Sequence, residues 1–200
     1  MKIERLKFKS GNLFSVTVTD NPPFVLDDIS VYKLGLAEGK EVSDELFEEI
    51  VKISGQEGAK YAAARMLTAG RKTELEIIQR LRQKGFTDEN IKSATELFKK
   101  SGVLNDEQYA AAYIKDAVNL KKYSVRQIRM KLMQKGIDRQ VISTLTAKLD
   151  DFPQLYKLVE TQMSKSPDKK DMEKFKRRLC GKGFSLWDIN KVVGEFENES

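Results

Sequence analysis

The segment Leu179-Cys180-Gly181-Lys182-Gly183-Phe184-Ser185 has the ingredients of a phosphate-binding loop: glycines around a lysine, then a hydroxyl. A Walker loop, however, requires Gly, four residues, then Gly-Lys and Ser or Thr, after a strand. Here Lys176 stands where the first glycine belongs, Gly183 follows the lysine, and the preceding Glu173–Arg178 run is charged and helical in composition. The stretch reads instead as a helix stop. Lys182 ends the last turn, Gly183 is the left-handed residue, Phe184 is the apolar residue beyond it, and Ser185 is the next N-cap.

Two more copies exist, Lys84-Gly85-Phe86 and Lys135-Gly136-Ile137, with the lysines 51 and 47 residues apart. The apolar flanks keep step. Leu81, Leu132 and Leu179 lie three before the lysine, and Ile77, Ile128 and Phe175 seven before. Phe86, Ile137 and Phe184 follow by two, Ile91, Ile142 and Ile189 by seven, and Phe98, Leu149 and Phe196 by fourteen. Offsets of three, four and seven define one helix face. Thr73 with Glu76, and Ser124 with Gln127, fit capping boxes, and Thr87, Asp138 and Ser185 follow the glycine turns as N-caps. A further helix precedes each pair, at about 57–69, 106–120 and 153–164.

The expected fold is therefore mainly α, with three tandem three-helix modules at 58–103, 104–150 and 153–197 stacked into an elongated curved array. Residues 1–54 form a small α+β N-terminal domain. Ile3–Phe8 and Leu13–Val18 alternate as strands around a Ser10-Gly11-Asn12 turn, Leu26–Leu34 reads as a short helix, and Ser43 caps an acidic helix. The segment Ser54–Gly58 reads as the joint to the first module.

The 200 residues carry a net charge of +6 with a pI near 9.2, and 40% are hydrophobic. That balance favours an acidic partner such as nucleic acid or a nucleoprotein. Histidine is absent and Cys180 is the single cysteine, which removes Ser-His and Cys-His nucleophiles and a Cys-based zinc site. The acids are scattered, so neither an enzyme nor a cofactor is expected. Cys180 reads as an inert, partly packed thiol. No apolar run is long enough for a membrane span or signal core, which predicts a cytoplasmic protein.

Residues 121–139 hold seven basic residues against Asp138 alone, a local net of +6 that matches the whole chain. Lys121, Lys122, Arg126, Arg129, Lys131 and Lys135 are the candidate contacts there, joined by Lys174, Arg177 and Arg178 in the third module and Arg71 and Lys72 in the first. A solvated helix face is the competing account of such runs. Tyr109 and Tyr113 read as core residues, Trp187 as a packing residue, and Met130 and Met133 as padding for a module interface or a partner surface.

Arg71-Lys-Thr-Glu-Leu-Glu-Ile with Leu81-Arg-Gln-Lys-Gly-Phe, Gly102-Val-Leu-Asn-Asp-Glu-Gln-Tyr-Ala, and Lys135-Gly-Ile closely resemble the RecX family, bacterial regulators of the RecA recombinase. The resemblance covers 58–197 and is most specific over 64–142; Val103 and Asn105 depart from the family's Gly-Tyr-Leu-Asp-Asp segment. It implies a non-enzymatic protein that binds in the groove of the RecA–DNA filament and inhibits filament growth, strand exchange and coprotease activity. The implied partners are the RecA nucleoprotein filament and single- or double-stranded DNA, with a monomer acting away from membranes. Two rival readings stand beside it. One is a helix-turn-helix-like protein acting on duplex DNA without RecA, which would normally be a symmetric dimer. The other is a protein-binding α-solenoid with little salt dependence.

Overall fold

Period-two alternation in the first residues becomes an antiparallel sheet of β1 (Ile3–Ser10), β2 (Leu13–Val18) and β3 (Phe24–Asp27), in that order across the sheet. This is a computed structural model describing residues 1–165 and 167–198, and the chain divides into two units, residues 1–105 and from Asp106 onward. The short helix expected from Leu26 begins later. After Pro22-Pro23, Phe24–Asp27 pairs with β2, and Asp27 accepts from the Ser30 amide to cap α1 (Asp28–Lys33). Ile3, Val16, Val18 and Leu26 on the sheet bury against Ile50 of α2 (Asp44–Thr68).

The Ser43 cap holds, its hydroxyl accepting from Leu46 N–H. The expected joint at Ser54–Gly58 does not: α2 runs through it without a break. Its glycines mark close helix contact rather than a turn. A Cβ on Gly58 would lie 3.1 Å from the Phe86 ring, and one on Gly55 would meet the Asn90 side chain. Ser54 is also engaged, its Oγ accepting from Val25 N–H at 2.9 Å. The second half of α2 packs Ala59, Ala63 and Met66 on α3 (Glu74–Gln83) and α4 (Asp88–Lys100), around Ile77, Leu81, Ile91 and Ala94.

The unit from Asp106 onward contains α5 (Asp106–Asp116), a π-helical turn (Ala117–Lys121), α6 (Val125–Gln134) and α7 (Arg139–Thr146) around one core. α8 (Phe152–Met163), α9 (Lys169–Gly181) and α10 (Leu186–Asn198) surround another. The repeat positions read from sequence all lie in these cores: Ile128, Leu132, Ile137, Ile142 and Leu149 in the first, Phe175, Leu179, Phe184, Ile189 and Phe196 in the second.

Each Lys-Gly stops its helix in one way. The amide two beyond the lysine bonds the leucine carbonyl (Phe86 to Leu81, Ile137 to Leu132, Phe184 to Leu179), and the glycine has φ of +84°, +80° and +93°. This is the Schellman arrangement, with the apolar residue folded back on the leucine. The two capping boxes differ. Thr73 N–H bonds the Glu76 carboxylate, completing the first. Ser124 accepts from Gln127 N–H, but its own amide bonds the Lys182 carbonyl at 3.0 Å, so Gln127 has no role as the returning acceptor. The third glycine turn thus sits on the buried N-cap of α6.

Candidate nucleic-acid interface

The π-helical turn determines the site. It ends at Lys122, which adopts φ +56° and ψ +45°, a left-handed conformation that costs a non-glycine residue about 1 kcal/mol. The kink leaves Tyr123 half-buried against the core just ahead of the buried Ser124 cap. Lys121, Lys131 and Lys182 place their ammonium groups 5.9, 5.5 and 5.8 Å from the Tyr123 ring centroid. Lys121 also lies 5.3 Å from the Tyr113 ring, which stacks on Tyr109, and Lys135 covers Tyr109 at 5.3 Å. A continuous row of three tyrosines and four lysines results. Cation–π attraction of roughly 0.5–1 kcal/mol per contact holds the lysine heads against the rings.

The row is a concentration of like charge. Among the described residues, none of Lys121, Lys131 and Lys182 forms an ion pair. Lys182 donates to the Lys121 carbonyl, and its pKa is held below the usual lysine value by desolvation, then by Arg178 and Lys122. Burial pushes the Tyr113 phenol up. Such a surface is suited to phosphates spaced along a chain. The lysines already occupy the exposed ring faces, so the tyrosines organise cations here rather than offering open stacking platforms.

The structure divides the predicted basic residues. Lys121, Lys122, Lys131, Lys135 and Arg178 fall on or beside this row. Arg126 and Arg129 stand on the other flank of α6, with Arg129 Nε donating to Thr146 Oγ1 at 2.7 Å. Lys174 and Arg177 are exposed on α9, and no described contact joins them to the tyrosines. In the first unit, Lys72 lines a cleft of about 350 Å³ with Arg65, Arg80 and Lys84, while Arg71 is exposed.

Tyr109 and Tyr113 pack on the core as expected, yet their outer faces belong to the row. The sequence alone does not single out Tyr123, and it places Lys182 among the basic residues of the third module without making it a candidate contact. The available signal was position: Tyr123 directly precedes the Ser124 cap, and Lys182 belongs to the third Lys-Gly. Two packing expectations fail. Trp187 is 71% exposed, and Cys180 is exposed because it faces away from the Phe175–Leu179 side of α9. Among the described residues there is no acid, cysteine and histidine cluster fit for a metal, and no helix long and apolar enough to cross a membrane.

Comparison with known proteins gives a consistent picture. The family model described as "RecX, second three-helix domain" matches residues 105–144, which contain α5, α6 and the three tyrosines of the row but not Lys182. "Regulatory protein RecX" of Clostridium perfringens is 31% identical over 199 residues, spanning 95% of this chain and 92% of that protein. The protein of that name from Caldanaerobacter subterraneus subsp. tengcongensis is 25% identical over 189 residues, with 94% and 95% covered. The fold matches a crystal structure of regulatory protein RecX with TM-score 0.70 at 19% identity, over 97% of this chain and 98% of that one. RecX from Lactobacillus salivarius gives 0.59 at 21% identity over 72% of this chain and 97% of that one. With a curated relative this similar over nearly its whole length, the chain belongs to the RecX family of regulatory proteins.

Proposed function

We propose that this chain is a non-enzymatic regulator that binds the RecA–DNA filament and lowers RecA recombinase and coprotease activity, acting in the cytoplasm as a monomer. The observation that carries this reading is the convergence of Lys121, Lys131 and Lys182 on Tyr123 without acidic counter-charge among the described residues. A surface that keeps like charges together gains most when a polyanion displaces its counterions. In the filament that polyanion is the DNA backbone. The Lys72 cleft and the exposed cations of α9 are further contacts in this reading.

The test is DNA-dependent ATP hydrolysis by RecA across a titration of the full-length protein. Substoichiometric protein should lower the rate, and hydrolysis unchanged over the whole titration would sink the reading. Lys121→Glu with Lys131→Glu should weaken the inhibition and flatten its salt dependence, since about two phosphate contacts disappear. Tight binding to one palindromic duplex without RecA would favour the helix-turn-helix alternative instead.

A further inference from the structure

The helix that carries the lysines has a second, chemically different flank. At 3.6 residues per turn, the buried Ile128 and Leu132 separate Lys131 and Lys135 on one side from Arg126, Arg129, Met130 and Met133 on the other. That second flank lines a groove of about 800 Å³ whose other walls include Val125, Phe184 and Cys180. The groove continues past Arg129 and Met133 to Arg139 and Ile142.

Its chemistry differs from that of the tyrosine row. Met130 and Met133 are 42% and 47% exposed, and unbranched thioethers adapt to varied apolar partners. The cations here are arginines, whose planar forks pair with carboxylates through two hydrogen bonds. Arg129 is already oriented, because its Nε is engaged by Thr146 and its outer nitrogens remain as donors. Asp151 also lines the groove: one of its oxygens accepts the Val125 N–H at 2.7 Å, and it feels the charge of Arg129, so it competes with an incoming carboxylate for that arginine but not for Arg126 or Arg139. Phosphodiesters would gain nothing from the methionines, whereas a polypeptide with acidic and apolar side chains matches both components.

We propose that this groove docks an acidic polypeptide segment bearing an apolar side chain, contributed by the RecA protein of the filament. The inference rests on the reading above and divides its contacts: lysines to DNA on one flank of α6, arginines and methionines to protein on the other. One helix would then span both components of the nucleoprotein.

The test compares Arg126→Glu with Met133→Glu against Lys121→Glu with Lys131→Glu, all in the full-length chain. Two probes are titrated, purified RecA without DNA or nucleotide, and a fluorescein-labelled oligo(dT) strand. The groove variant should bind RecA at least about tenfold more weakly while changing oligo(dT) affinity by less than about twofold, and the lysine variant should do the reverse. Equal loss on both probes, or loss on oligo(dT) alone, makes the groove a nucleic-acid surface and overturns the proposal. Unchanged RecA binding also overturns it. Should the groove variant melt early by circular dichroism, benzophenone maleimide on Cys180, the only cysteine, supplies a second readout in the native sequence. Crosslinking to an acidic, apolar-containing RecA peptide supports the docking, and crosslinking to DNA alone or to nothing refutes it. The two failures are distinct. A native chain that leaves RecA hydrolysis untouched defeats the regulator reading, while normal inhibition with unaffected groove variants defeats only the groove.

Discussion

Gly183→Ala, compared with Gly85→Ala, separates the two roles that a Lys-Gly stop plays in this chain. Both glycines are left-handed, at φ +93° and +84°, so alanine costs each about 1 kcal/mol in backbone strain. At Gly85 the added methyl meets nothing within 4 Å, and the cost ends there. At Gly183 it would lie 2.7 Å from Gln127 Cβ and 3.2 Å from the Gln127 backbone nitrogen, and would collide with the Ser124 hydroxyl. Backbone in the first turn of α6 cannot yield as a side-chain tip does, so the turn must withdraw. Withdrawal removes the Lys182 carbonyl from the Ser124 amide, and a buried amide left without a partner costs about 1–3 kcal/mol. The expected losses are about 1 kcal/mol for Gly85→Ala and about 2–4 kcal/mol for Gly183→Ala. Urea unfolding followed by far-UV circular dichroism measures both, and hydrogen exchange at the Ser124 amide reports the contact directly. Equal losses near 1 kcal/mol with Ser124 still protected would refute the reasoning. Because Lys182 rides on this turn, Gly183→Ala should also weaken oligo(dT) binding without removing any charge, and Gly85→Ala should not.

Three other outcomes follow from the same geometry. Lys122→Gly relieves the left-handed strain and should raise stability by up to about 1 kcal/mol while lowering DNA affinity, opposite signs that urea unfolding and anisotropy will resolve. Lys182 has a lowered folded-state pKa, so between that value and the ordinary 10.5 the unfolded chain binds more protons and this group's contribution to stability rises with pH. Oligo(dT) affinity should fall over the same alkaline window, because the neutral lysine no longer attracts phosphate, and Lys182→Arg should abolish that part of the pH dependence. Asp151→Ala strands the Val125 amide and should cost about 1–3 kcal/mol, whereas Asp151→Asn keeps an acceptor and should cost much less, since burial already disfavours the carboxylate charge.

The division between what was and was not legible in the sequence follows from the range of each interaction. Helix faces and stops are local. Leu81, Leu132 and Leu179 report their cores through spacing alone, and each glycine after a lysine reports a left-handed backbone. Gly55 and Gly58 misled because a small residue has two uses, turning a chain or admitting a neighbour, and only Phe86 in the turn after α3 and Asn90 on α4 decide between them. The Gln127 capping box misled for the same reason, since its acceptor's place was taken by a carbonyl from the third glycine turn.

The basic stripe shows the limit most clearly. Counted along the chain, Arg126, Arg129, Lys131 and Lys135 form one run, but the helical rotation between Arg129 and Lys131 sends them to opposite flanks of α6. Charge number is therefore readable from sequence, while charge partition depends on which face the core claims. Ile128 and Leu132 claim the middle, and they divide one cluster into two chemically different flanks. The row's final member lies 61 residues beyond Lys121, held there by the Lys182 side chain on the Lys121 carbonyl and by the Lys182 carbonyl on Ser124. In the proposed reading the glycine turn that ends α9 therefore serves binding as well as folding, because the contact that docks it on α6 also delivers its lysine to Tyr123.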